Sequence, residues 1–248
     1  MKICNIFTIL NQEQYKKENY AMILAHLLEK DLYDPENLFA CSHIIMDNGA
    51  YENSQVSKDI NDLISLVGNH KVIVDEIVIP DVMGDYEKTK QLYKDNYETM
   101  LTYKNDFQFM YVVHAKTIEQ LREAIDMVNK EQCLKLVLGI PKHGKLNRTS
   151  SKFIRELRMC NVPIHFLGIR ESFEELLPVK NIIRSCDSIQ LSYIARDCNM
   201  QQESLYEYQR VGKIIDLEND YIDDAKIDKA RIMLNRELKD NGILWWDC

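Results

Sequence analysis

Residues 43–52 read HIIMDNGAYE and residues 76–85 read EIVIPDVMGD, and these two stretches share one pattern. Each is a short apolar run that leads into an aspartate and a turn containing glycine. Apolar runs of this length are typical of strands buried on both faces of a parallel sheet. A run of this kind followed by a longer amphipathic segment recurs along the chain, so the two stretches indicate the fold of the whole.

The apolar runs predict strands at 3–10, 43–46, 76–79, 107–113, 134–138, 164–167 and 188–191. Apolar residues at three- and four-residue spacing predict helices at 14–30, 56–67, 86–103, 118–129, 150–159, 172–183 and 223–239. Ser57, Asp85, Thr117 and Ser172 are candidate N-caps. Because strand and helix alternate at about 30 residues per repeat, we predict a closed (β/α)8 TIM-like barrel rather than an open sheet.

We expect one α/β barrel domain over residues 1–248, with 201–248 supplying the closing helices and a tail that contains Trp245 and Trp246. Hydrophobic residues make up 46% and charged residues 28% of the chain, which excludes disorder and collagen-like structure. No apolar run approaches the roughly 20 residues that span a bilayer, and no leader peptide is evident. We therefore expect a cytoplasmic protein with no membrane partner.

The charge balance and the cysteines exclude further classes of protein. The chain has 31 Lys and Arg against 39 Asp and Glu, a net charge of −8, so it lacks the overall basic character of a dedicated nucleic-acid binder. A local basic rim is still compatible with this charge. The seven cysteines include no Cys-x-x-Cys pair, so we expect free thiols and no structural zinc site.

Two aspartates directly follow predicted strands, at the end of the barrel where active sites lie. Asp47 and Asp81 form either a carboxylate pair that faces a common pocket or two Asx residues that cap the turns after their strands. A carboxylate pair of this kind would combine acid/base chemistry with recognition of an amide- or guanine-like edge. The spacing leaves both interpretations open.

Other strand ends carry weaker candidates. His114 and His143 are either acid/base or phosphate-binding groups or ordinary polar residues. Lys142, Lys145 and Arg148 make 141–148 either a phosphate-binding loop or a solvated one. The chain has no P-loop, GxGxxG, GxSxG or HExxH motif, so it gives no support to kinase, Rossmann dehydrogenase, serine hydrolase or zincin functions.

Three side chains near strand ends have the shape to hold a flat ring. Tyr51, Met83 and Tyr193 either sandwich such a ring or pack the barrel mouth.

Four stretches, 44–52, 76–85, 138–143 and 164–168, resemble motifs of the tRNA-guanine transglycosylase superfamily. The chain looks most like compact bacteriophage members related to 7-deazaguanine DNA transglycosylases, over about residues 23–196. The resemblance implies a (β/α)8 barrel that exchanges guanine in nucleic acid for a 7-deazaguanine base.

The resemblance also implies roles for individual residues. Asp47 matches the family's acidic residue that recognises the base and acts as a general acid/base. Asp81 matches the family's aspartate that hydrogen-bonds to the guanine edge. His114 stands near the position where the family has a strand-end glutamine that contacts the base. Gly139 matches the family's glycine whose backbone approaches the base. The remaining candidate substrate-binding residues are Asn48, Gly49, Tyr51, Lys142, His143, Gly168 and Tyr193.

The covalent nucleophile of the family is an aspartate in a late strand, which corresponds here to Asp187 or, in another alignment, to Gln190. Only Asp187 preserves attack by a carboxylate on the sugar carbon. The family's Cys/His zinc subdomain has no counterpart in the chain, in agreement with the cysteine pattern.

The expected function is a glycosyltransferase reaction that inserts a 7-deazaguanine base into DNA or tRNA, with Asp47 and Asp187 as catalytic residues and with no cofactor or metal. One alternative is an N-glycosidase that acts on free nucleosides or nucleotides, and another is a non-catalytic barrel that binds a purine or nucleotide. Family enzymes often form homodimers, and the tail with Trp245 and Trp246 is either an interface or a segment packed on its own barrel.

Overall fold

The computed structural model describes residues 1–50, 58–142, 144–168, 173–188, 190–197 and 214–241. Eight parallel strands pair in chain order and close between the last and the first, which confirms the predicted (β/α)8 barrel. The strands are β1 Lys2–Asn5, β2 Tyr20–Leu24, β3 His43–Asp47, β4 Glu76–Val78, β5 Gln108–Val112, β6 Leu136–Pro141, β7 Ile164–Leu167 and β8 Ser185–Ser188.

Helices connect the strands on the outside of the barrel. They are α1 Ala25–Glu29, α2 Pro35–Leu38, α3 Ile60–His70, α4 Tyr86–Asp95, α5 Tyr97–Thr102, α6 Ile118–Lys130, α7 Ser151–Leu157, α8 Gln190–Asp197 and α9 Asp224–Asp240, with 3-10 helices at Ile9–Lys17 and Phe173–Leu176. Asp85 and Thr117 cap α4 and α6 with their side chains, as predicted. Asp59 caps α3, so that helix begins later than expected, and the candidate caps Ser57 and Ser172 lie outside the described residues.

The predicted helix at 14–30 is wrong, because this region contains β2 between the first 3-10 helix and α1. Residues 20–28 read YAMILAHLL, an apolar run interrupted only by His26. Since residues 21–25, 27 and 28 are all buried, the run carries no period that separates strand from helix. This region supplies the eighth strand, for which the sequence shows no separate run.

The predicted strand at 188–191 and the predicted helix at 172–183 are also wrong. The strand is β8, whose sequence is SCDS, and the helical part of 172–183 that the structure describes is only the 3-10 helix Phe173–Leu176. A polar sequence such as that of β8 is not expected for a buried strand. It is stable here because two of its polar side chains hydrogen-bond inside the barrel.

Alternating side chains build two apolar layers. Ile44 and Met46 of β3 pack outward against the helices, whereas Ile45 faces the barrel interior, hereafter the lumen. The buried apolar residues of the lumen are Cys4, Met22, Ile45, Val78, Met110, Val112 and Val137. This alternation fixes which residues beyond each strand point toward the axis.

The structure agrees with the expected free thiols. The cysteines that it describes, Cys4, Cys41, Cys133, Cys160 and Cys186, are free thiols. Within the described ranges, no helix combines the length and the apolar character needed to cross a bilayer. Trp245 and Trp246 lie outside the described residues.

A buried ion pair attaches α9 to the barrel. Arg231 donates from Nε and Nη2 to Oε1 of Glu18, at 3.1 and 2.9 Å. The other oxygen of Glu18 accepts from Asn5 of β1 at 2.9 Å. Burial raises the pKa of Glu18 above its usual value, against the opposing charge of Arg231. The closing helix is therefore linked to the first strand through a desolvated carboxylate.

We predict that Arg231→Met destabilises the protein by about 3–5 kcal/mol at neutral pH, because it leaves Glu18 buried without its cation. A carboxyl whose pKa is raised in the folded state binds more protons there than in the unfolded chain. Stability therefore falls as the pH rises from the unfolded pKa through the folded one, and the variant recovers part of its loss at acidic pH. Urea unfolding at a series of pH values measures this effect, and a loss that does not change with pH would contradict it.

Candidate active site

The carboxyl end of the lumen carries acidic side chains. Asp47 lies two residues beyond the lumen residue Ile45, and Asp187 of β8 alternates with Cys186, which faces the outer core. Both aspartates therefore point toward the barrel axis. When the strand register is followed around the barrel, Asp187 lies in the same layer of inward-facing residues as Gly139. Asp47 lies in the next layer toward the rim.

Asp187 is held through one oxygen. Its Oδ1 accepts hydrogen bonds from Nε2 of His165 at 3.0 Å and from the backbone N–H of Gly168 at 2.8 Å. In the part of the chain that the structure describes, no hydrogen bond to Oδ2 is found. Gln190, the other position considered for the nucleophile, begins α8 beyond the strand. Asp187 is thus the position that offers a carboxylate to the lumen.

Arg148 supports the loop that holds Asp187. Its guanidinium donates to the carbonyl oxygens of Ile140, Leu167 and Gly168, at 3.4, 3.2 and 2.8 Å, and forms an ion pair with Glu175 at 2.9 Å. The side chain is 2% exposed. Arg148 is therefore a structural cation that joins the ends of β6 and β7, and neither open interpretation of it, phosphate-binding or solvated, is correct.

Gly168 adopts a left-handed backbone conformation with φ of +64°, which suits glycine. A Cβ atom at this position would also lie 3.2 Å from the side chain of Lys142, whose aliphatic part covers the turn. The turn after β7 therefore requires glycine for both conformation and space. Its amide is thereby directed at Asp187.

A second cluster lies nearer the rim, at the ends of β3, β4 and β5. Asp81 accepts from Nδ2 of Asn48 at 2.7 Å through Oδ1 and contacts Nε2 of His114 at 2.5 Å through Oδ2. Asn48 Nδ2 also donates to the carbonyl of Ile79 at 2.8 Å. All three polar side chains are buried. The structure thus brings Asp81, Asn48 and His114 together.

Asp47 caps the turn after its strand, which is one of the two interpretations of its position. Its Oδ1 accepts from the backbone N–H of Gly49 at 2.7 Å, which is an Asx turn, and Gly49 has a φ of +75°. The side chain nevertheless extends from the inward-facing side of β3 and is only partly buried. It therefore lies at the upper end of the lumen.

The other predicted residues are more scattered. The space beside Gly139 is filled, since a Cβ there would lie 3.0 Å from Met110 and 3.1 Å from Leu167. Tyr193 is buried in the outer core, where its hydroxyl accepts from the N–H of Ile215 at 3.4 Å. Tyr51 and His143 lie outside the described residues.

The sequence analysis did not identify the polar groups deeper in the lumen. His165 is completely buried, and its Nδ1 lies 2.8 Å from the hydroxyl of Ser185. Glu76, also completely buried, accepts from Arg184 at 2.7 Å and from Nε2 of His43 at 3.3 Å. The only signals in the sequence are a histidine within the apolar run IHFL and the polar strand SCDS.

The charge on Glu76 is stabilised at the amino end of the barrel. Burial acts to raise the pKa of this carboxyl, but the hydrogen bond from His43 and the charge of Arg184 hold it below its usual value. This cluster lies at the amino end of the lumen, opposite to Asp47 and Asp187. Within the described ranges, no group of three or more His, Cys, Asp or Glu residues is arranged to hold a metal ion.

No family model and no curated protein matches the chain. Among solved structures, the tryptophan synthase alpha subunit of Legionella pneumophila str. Paris is similar, at 9% identity over 97% of this chain and 93% of its own, with a TM-score of 0.45. A protein of Aquifex aeolicus VF5 is similar at 8% identity over 76% of this chain and 83% of its own, with a TM-score of 0.44. These likenesses carry no chemistry over to this chain, because one barrel fold hosts many unrelated reactions.

We predict that Arg148→Met destabilises the protein by about 3–5 kcal/mol, because Glu175 and three carbonyl groups lose their shared donor. The matched variant Lys145→Met removes an exposed cation from the same loop and is expected to change stability by no more than about 0.5 kcal/mol. Chemical unfolding of both variants compares them directly. Equal losses would show that Arg148 is not the structural cation of this loop.

Proposed function

We propose that this barrel exchanges a nucleobase at an N-glycosidic bond and replaces guanine in DNA or tRNA by a 7-deazaguanine derivative. The observation that carries the proposal is the attachment of Asp187 through Oδ1 alone, in a lumen that Asp47 also faces. A carboxylate fixed by one oxygen presents the other to an electrophilic carbon. Cleavage of a glycosidic bond develops positive charge on the sugar, which a nearby carboxylate stabilises.

The proposed reaction consists of two displacements. Oδ2 of Asp187 bonds to C1′ of the sugar as the bond from C1′ to guanine breaks, and Asp47 supplies the proton that the departing base takes up. The incoming 7-deazaguanine then gives its proton back to Asp47 while its nitrogen bonds to C1′ and releases Asp187. No atom changes oxidation state, so the reaction consumes no redox cofactor.

The rim cluster suits the recognition of a purine edge. The N1–H and the amino group of guanine are donors, and the carboxylate of Asp81 is an acceptor that Asn48 and His114 already orient. Because a paired guanine is hidden in the duplex, the nucleic acid would have to present it flipped out or single-stranded. The cluster lies at the carboxyl ends of the strands, where ligands of such barrels bind.

We predict that the protein incorporates a labelled 7-deazaguanine base into guanine-containing DNA or tRNA, and that Asp187→Asn lowers the rate on the order of a thousandfold or more. Asp47→Asn is expected to lower the rate about a hundredfold or more, through loss of proton transfer. Asp126→Asn, an exposed aspartate of α6, is the matched control and should retain full activity. Absence of incorporation into either polymer, in an assay where a known transglycosylase is active, would refute the proposal.

The burial of Arg148 favours a second candidate, an N-glycosidase that acts on free nucleosides or nucleotides. With this cation ion-paired inside the fold, the loop after β6 offers less positive charge to a phosphate backbone, and the chain as a whole has a net charge of −8. A small substrate needs no extended basic surface.

A non-catalytic purine-binding barrel would bind the base without turnover, and the Asp187→Ala variant would bind it as well as the parent.

Salt dependence separates the two catalytic candidates. If the substrate is a polymer, the affinity for a guanine-containing oligonucleotide should fall about tenfold or more between about 50 and 200 mM salt, because phosphate contacts release counterions. The affinity for guanosine, which is uncharged, should change little over the same range. Fluorescence anisotropy and calorimetry give the two constants. Tight guanosine binding together with negligible oligonucleotide binding at low salt would favour the N-glycosidase.

A further inference from the structure

A line of hydrogen-bonded groups runs up the lumen from the amino end of β8 to Asp187. Nε of Arg184 donates to the hydroxyl oxygen of Ser185 at 3.1 Å, and this hydroxyl lies 2.8 Å from Nδ1 of His165. Nε2 of the same imidazole lies 3.0 Å from Oδ1 of Asp187. Ser185, His165 and Asp187 are all buried, so the two hydrogen bonds of His165 are made in the absence of bulk water.

The cation at the start of this line determines its direction. A guanidinium can only donate, so the oxygen of Ser185 accepts from Arg184, and its own proton is free to be given to Nδ1 of His165. An imidazole that accepts at Nδ1 carries its proton on Nε2, where it donates to the carboxylate. With this arrangement, every group in the line is matched as donor to acceptor.

Arg184 is fixed from the opposite side of the barrel. Its Nη2 donates to Glu76 of β4 at 2.7 Å, and its Nη1 donates to Gln108 of β5 at 3.3 Å. The guanidinium therefore cannot turn away from Ser185 without breaking contacts to two other strands. The direction of the hydrogen bonds is thus a property of the closed barrel rather than of β8 alone.

We propose that His165 is a positioning residue for Asp187: it carries its proton on Nε2 and, together with the amide of Gly168, fixes Oδ1 so that Oδ2 faces the reaction centre. The part of this inference that concerns turnover rests on the proposed function. Two donors on one oxygen restrict rotation of the carboxylate, and they offset the cost of its burial. A nucleophile held in this way needs no reorientation before it attacks.

The first test uses the protein without substrate. Nitrogen-15 NMR of labelled histidine should show His165 with its proton on Nε2 and with Nδ1 as an acceptor. Ser185→Ala should move the Nδ1 resonance toward that of a nitrogen that accepts no hydrogen bond. Ser188→Ala, a buried serine of the same strand that faces away from the lumen, should leave the resonance in place. A proton on Nδ1 in the parent protein would overturn the inference.

The second test compares two replacements of His165. Glutamine can place an amide donor where Nε2 lies, whereas leucine cannot donate. His165→Leu should lower kcat about tenfold to a hundredfold, the loss expected for one hydrogen bond to a charged group, with little change in KM. His165→Gln should recover most of that loss. Similar kcat values for the two variants, at matched thermal stability, would overturn the positioning role.

The two tests keep this inference separate from the proposed function. If NMR finds the proton on Nε2 but no nucleobase exchange is detected, the proposed function fails and the orientation of Asp187 by His165 stands. If exchange is detected but the proton lies on Nδ1, the proposed function stands and the inference about His165 fails.

Discussion

The upper half of the lumen depends on one constraint: the carboxylate of Asp187 is buried and must be given donors. In an apolar interior an ionised carboxylate without hydrogen bonds is too costly to maintain. His165, within β7, and the amide of Gly168, directly after β7, supply them. Each donor is held in turn, the imidazole by Ser185 and the Gly168 carbonyl by Arg148. The hydrogen bonding of one charge thus joins β7 and β8 to each other and to the loop after β6.

The two ends of the lumen differ in how their charges are satisfied. At the amino end, Glu76 and Arg184 form a closed group that spans several strands. At the carboxyl end, Asp47 and Asp187 point toward the barrel axis, and Asp81 is oriented by Asn48 and His114. Stability at one end and chemistry at the other is the usual division in this class of barrel. The proposed exchange uses only the carboxyl end.

Much of the fold could be predicted from local pattern, but two strands could not. The regions of β3, β4 and β7 were predicted because each is a separate apolar run followed by a turn. β2 was not recognised because it continues without a break into the apolar α1, and periodicity cannot divide such a run. β8 was displaced because its polar residues resemble a loop until the barrel closes and turns Ser185 and Asp187 inward.

By itself, the sequence determined the repeated strand and helix, the closed barrel, and the position of Asp47 and Asp81 at strand ends. These features depend on residues that are close along the chain. Only the tertiary structure decided that His114 meets Asp81, that His165 meets Asp187, and that Arg148 is a buried structural cation rather than part of a basic rim. The physical reason is that a buried polar group takes its partner from a neighbouring strand or loop, and partners 33, 22 and 27 residues away along the chain leave no local pattern.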